Sequence, residues 1–124
     1  MSYITGFLTP VKAADRDRYI RSAEFSAPLF KEFGALEHVE TWGVDVPAGK
    51  VTGFDLAVKL EEGEVVVFSW LKWPDKATAD AAWARMMEDP RFADMDMPFD
   101  GKRMMWGGFE VVFEAPSGDM RKTT

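Results

Sequence analysis

The sequence predicts an α+β domain with the element order β-α-β-β-α-β, and three features carry that prediction. Four runs rich in β-branched and aromatic residues read as strands, a period near 3.6 marks two intervening stretches, and Gly, Pro and Asp clusters separate the runs. A chain of 124 residues, 47% hydrophobic and 29% charged, buries roughly two thirds of its unfolded surface, enough for one core and too little for two. Residues 1–115 therefore read as a single domain and 116–124 as a polar, fraying tail.

The elements follow in order. Residues 3–11 form a strand, closed by Pro10 because proline cannot donate to a ladder. From Lys12 the stripe Tyr19, Ala23, Ala27, Phe30 marks a helix of about twenty residues, with Asp15 and Asp17 near its start and Lys31 near its end, as the macrodipole favours. Gly34 stops it, and Pro28 predicts a kink or break near Ser26. Leu36 to Val46 reads as a second strand, with His38, Glu40 and Trp42 on one side. The 54–60 piece satisfies both a strand and one helical turn, and stays open between them. Val65 to Leu71 is a central strand, near-continuously apolar. Asp75 caps a second helix that carries Ala79, Ala82, Trp83, Met86 and Met87, and Asp89-Pro90 ends it. Residues 91–101 have no period. Arg103 to Glu114 is the last strand, with a bulge or bend expected at Gly107-Gly108.

This order is the ferredoxin-like plait with an antiparallel sheet. Two helices cover one face of such a sheet, yet the strands are apolar on both. A second copy of the chain is the expected cover, giving a face-to-face homodimer, a dimeric α+β barrel.

Composition excludes several chemistries. There is no Cys, no Asn and no Gln, and His38 is the only histidine. Thiolate catalysis, iron-sulfur clusters, disulfides and zinc sites built on Cys or paired His are therefore outside its reach, so no metal or other cofactor is expected. A net charge of -6 with scattered basic residues argues against nucleic acid, and no apolar run approaches the roughly twenty residues of a membrane span. With no signal-peptide pattern at the start, a cytoplasmic location is expected.

Four segments add a resemblance. Ala27 to Leu36 (APLFKEFGAL), Val66 to Trp70 (VVFSW), Met97 to Met104 (MPFDGKRM) and Gly107 to Glu110 (GGFE) resemble the YbaA-like bacterial family of unknown function, domain of unknown function 1428. The likeness spans about residues 2–114, and MPFDGKRM is its most distinctive block. It implies a dimeric α+β barrel and no established reaction. The wider superfamily holds monooxygenases, haem-degrading enzymes, isomerases and stress-responsive proteins. Haem degradation there relies on an Asn, which this chain lacks.

The candidate catalytic pair is His38 and Glu40: a carboxylate two residues along a strand can set the imidazole tautomer and make a general base. The competing reading is a half-exposed structural histidine. Arg103, with Asp100 and Lys102, offers an anion clamp or else a local salt bridge across the Asp-Gly turn. Trp42, Trp70 and Trp106 come from three strands and suit either an aromatic ligand pocket or ordinary packing. The expected function is binding of a small aromatic or acidic organic ligand, with cofactor-independent oxygenation or isomerisation if a reaction occurs. The alternative is a non-enzymatic dimeric interaction or stress-related module. A cavity of several hundred Å³ reached by two or more of His38, Glu40, Trp42 and Arg103 separates the two, on the order of known ligand sites.

Overall fold

The β-prone first ten residues set the centre of the sheet. In the computed structural model, which describes residues 2–115, β1 (Tyr3–Lys12) pairs antiparallel with β3 (Glu64–Trp73) on one side and β4 (Met105–Glu110) on the other. β2 (Glu37–Glu40) pairs with the free side of β3, giving the four-stranded order β2-β3-β1-β4. The fold is ferredoxin-like α+β.

β1 runs past Pro10 to Lys12, beyond the expected stop. β4 pairs with β1 only as far as Leu8, so on that side the strand is already an edge, where a missing N–H costs nothing.

A 3-10 turn (Ala13–Asp15) leads into α1 (Arg16–Glu32), which continues through Pro28 without the expected break near Ser26. Pro28 and Glu24, whose carbonyl loses its donor, both lie on the exposed side, where water replaces the bond. The helix ends in a Schellman motif: Gly34 N–H donates to Lys31 O at 3.0 Å and Ala35 N–H to Phe30 O at 2.9 Å, with Gly34 at φ 110°.

β2 is four residues long, not the eleven predicted, and beyond it isolated bonds to β3 replace the regular ladder. Thr41 Oγ1 donates to Phe68 O, and Gly43 N–H reaches Val66 O at 3.0 Å. An insertion follows, and its 54–60 piece resolves as a helical turn, α2 (Phe54–Ala57), with Val58 buried behind it. The Asp55 carboxylate fastens it by accepting from the N–H groups of Gly49 and Leu56 at 3.1 and 2.9 Å.

α3 (Lys76–Glu88) starts at Asp75, which accepts from Thr78 N–H at 2.7 Å. α4 (Pro90–Ala93), capped by Asp89, occupies part of the stretch that shows no period in sequence. β4 is also shorter than predicted, and Gly107-Gly108 forms no bulge: both pair one to one with Gly6 and Thr5. The glycines permit close approach, since a Cβ on Gly108 would lie 1.7 Å from the Tyr3 hydroxyl. The expected tail at 116–124 lies outside the described residues.

α1 and α3 cover one sheet face. Leu71 and Trp73 pack there with Phe33, Ala79, Ala82 and Met86, and Val11 and Val67 pack with Tyr19. The opposite face presents Phe68, Met105 and Phe109 at 46%, 47% and 60% exposure, extended by Phe54 of α2, whose ring lies 6.2 Å from that of Phe68. Among the described residues no helix is long and apolar enough to cross a membrane.

Candidate functional site

Register decides which side chains meet. His38 lies opposite Leu71 and Glu40 opposite Ser69, both buried under the helices, so the pair points toward α1. There Glu40 Oε2 is 2.7 Å from His38 Nε2, and Glu40 Oε1 accepts from the Tyr19 hydroxyl at 2.6 Å. An ionised carboxylate only accepts, so Nε2–H is the donor in this contact and Nδ1 is the ring nitrogen that Glu40 does not occupy. The Phe30 ring stands edge-on to the imidazole at 5.2 Å, restricting its rotation. Burial, and then the charge of Glu40, push the Tyr19 phenol well above its ordinary range. Tyr19 is thus a proton donor that stays neutral, with Glu40 linking it to the histidine.

Trp42 belongs to the same neighbourhood, its ring 6.4 Å from Tyr19 and 5.7 Å from the Arg16 guanidinium. Trp70 does not. It faces the other side of the sheet, where its Nε1–H donates to Glu37 at 2.7 Å. Trp106, opposite Phe7 on the β4 edge, is 65% exposed. The three tryptophans therefore do not converge on one pocket: sheet parity puts Trp70 on the opposite face, and lateral position sets Trp106 apart.

Arg103 spends its donors within the protein. Its two terminal nitrogens fork onto Glu64 at 2.7 Å each, Nε donates to Asp100 at 2.9 Å, and Nη1 also reaches Lys59 O at 3.1 Å. Asp100 in turn takes the Lys102 N–H at 2.9 Å. This is a structural clip between the 100–103 turn and the start of β3, and it holds the Glu64 and Asp100 carboxyls below their ordinary values. No ligand carboxylate finds a vacant fork there.

A hollow of about 310 Å³ opens beside His38, walled by Ala27, Ala35 and Leu36 with Lys31 and Glu37 at its margin. Of the four residues expected to share a cavity, it reaches His38 alone. Tyr19 and Lys31 are the participants that sequence reasoning placed elsewhere, one in the helix stripe and one as a dipole partner. Among the described residues no three His, Cys, Asp or Glu side chains are grouped to hold a metal ion.

Fold and site together define a ferredoxin-like α+β protein with helices on one sheet face and a Tyr-Glu-His chain beneath them. A family described as "Protein of unknown function (DUF1428)" matches residues 2–101. The uncharacterized protein YbaA of Escherichia coli (strain K12) is 54% identical over 116 residues, covering 92% of this chain and 99% of that protein, and YbaA of Shigella flexneri matches equally. The chain belongs to the DUF1428, YbaA-like family. The crystal structure of a dimeric ferredoxin-like protein from an uncultured marine organism is similar in fold, with TM-score 0.59 and 17% identity over 93% of this chain and all of that one.

Proposed function

We propose that this protein is a homodimer whose protomers each bind a small organic acid in the hollow beside His38, where the Tyr19–Glu40–His38 chain handles a proton. The hydrogen-bonded chain carries this reading: Glu40 orients the imidazole so that Nδ1 is the basic nitrogen, and Tyr19 supplies a donor behind it. Lys31 at the margin supplies the cation that Arg103, held by Glu64, does not. Apolar walls and one cation suit a carboxylate on a hydrocarbon or aromatic body. Isomerisation or cofactor-independent oxygenation would begin with proton abstraction by His38 from such a ligand.

The dimer reading rests on the uncovered apolar sheet face and on the dimeric fold relative. Sedimentation velocity checks it: a dimer is expected, dissociated by Phe109→Asp.

The ligand is tested by thermal shift with benzoate, phenylacetate and short aliphatic acids. Occupancy at a hundred times the dissociation constant adds about 2.7 kcal/mol, an effect expected to vanish in Lys31→Met and His38→Gln. A flat response across the panel favours the second reading, a non-enzymatic dimeric module. That reading has its own observation, since the hollow meets only one of the four predicted residues.

A further inference from the structure

The uncovered sheet face ends in two features, a hollow and an exposed apolar arm. At one end the insertion stands beside β3 and leaves a hollow of about 290 Å³ walled by Val44, Val46, Leu60, Val65 and Val66. The carboxylates on its margin are already engaged, Asp55 by backbone N–H groups and Glu64 by Arg103. What remains open is a socket of valine and leucine side chains bordered by these engaged polar groups, with Val44, 91% exposed, at its lip.

Six residues further along β3, about 20 Å away at strand spacing, the chain leaves β4. Val111 N–H donates to Ser2 O at 3.0 Å, and Glu114 pairs with Lys72, so residues 111–114 pass from the β4 edge to the β3 column. Between those two ties Val112 and Phe113 stand 81% and 82% exposed. Adjacent apolar side chains held in water this way forfeit burial that a partner surface would return.

We infer that Phe113 of one copy fills the Val66 socket of a second copy, turned end for end about a twofold axis lying across the strands. This rests on the homodimer proposed above and specifies its register. Arm and socket occupy opposite ends of one face, so an end-for-end turn sets each arm over the partner's socket and is satisfied twice. With the strands running the same way, arm would meet arm, and the acidic turn carrying Glu61 and Glu62 would meet its own copy, like charge on like.

The absence of cysteine makes the test clean. Phe113→Cys protein is mixed with Val44→Cys protein and oxidised, since cysteines join only when their Cα atoms come within about 7 Å. The expected product is the mixed disulfide. Phe113→Cys joining to itself in its place overturns the register. In sedimentation equilibrium, Phe113→Ala is expected to weaken the dimer roughly 10- to 100-fold with the monomer's circular dichroism unchanged, as for an interface anchor. If Phe109→Asp yields a monomer while Phe113→Ala dimerises like the parent, the arm is excluded and the dimer stands. If Phe109→Asp leaves the dimer intact, the face-to-face assembly falls, and the arm with it.

Discussion

The Arg103 guanidinium grips the Glu64 carboxylate through two 2.7 Å hydrogen bonds across 39 residues of sequence, with Glu64 only 7% exposed. The pair ties the MPFDGKRM turn to the first residue of β3. Arg103→Met should lower the melting temperature by leaving a nearly buried carboxylate without its partner, and Arg103→Lys should recover little, because one ammonium cannot span both oxygens. Glu64 is held below its ordinary 4.5, so its stabilisation is full above that pH and is lost as pH falls through the lower folded value. Asp89, pushed down to about 2 chiefly by Arg91, extends the acid loss further. Melting curves between pH 7 and pH 2 should decline progressively, and in Arg103→Met, where Arg103 no longer holds Glu64 and Asp100 down, the decline should be shallower from a lower starting stability.

Alkaline behaviour centres on Tyr19. Its ionisation is raised from the ordinary 10.0, so its contribution is complete below pH 10 and is lost as pH rises toward the folded value. Lys72 and Lys76, raised by Glu114 and Asp80, act in the same direction. Tyr19→Phe should cost about 1 kcal/mol at neutral pH through the lost bond to Glu40. Above pH 10 its stability should fall less steeply than the parent's, by close to one proton, which denaturant titrations at several pH values measure.

Trp73 is fully buried and donates through Nε1–H to Thr5 Oγ1 at 3.0 Å. Trp73→Ala should destabilise by about 3–5 kcal/mol through cavity formation. Trp73→Phe keeps a ring in place but strands the buried threonine hydroxyl, adding about 1–3 kcal/mol to the packing loss. Urea denaturation of Trp73→Phe beside Thr5→Val/Trp73→Phe separates the two: the double variant should recover part of the loss.

Gly34 closes α1 at φ 110°, and a Cβ there would lie 2.6 Å from Thr78 Cγ2. Gly34→Ala should cost about 1–2 kcal/mol from backbone strain, and Thr78→Ser should relieve only the steric part. Equilibrium unfolding of the single and double variants reads both.

Some of the site was visible in sequence. His38 and Glu40 sit two apart on a strand, and period-two alternation is enough to put them on one side. That Tyr19 completes the group was not visible, since a tyrosine at a core-facing helical position reads as packing until the pairing of β2 with β3 sets the depth of Glu40 under α1. Arg103 shows the same limit. Its nearest acid in sequence is Asp100, whereas the partner that occupies its fork is Glu64.

The four strands, the two long helices and their order, the Gly34 stop, the Asp75 cap and apolar bulk on both strand faces were determined by the sequence itself, because each depends on residues within a few positions along the chain. The lengths of β2 and β4, the helical form of 54–57, the separation of Trp42 from Trp70, and the choice of Glu64 over a ligand for Arg103 were decided only by tertiary structure. Those outcomes depend on which strand lies beside which and in what register, and that is set by the summed burial of the whole sheet.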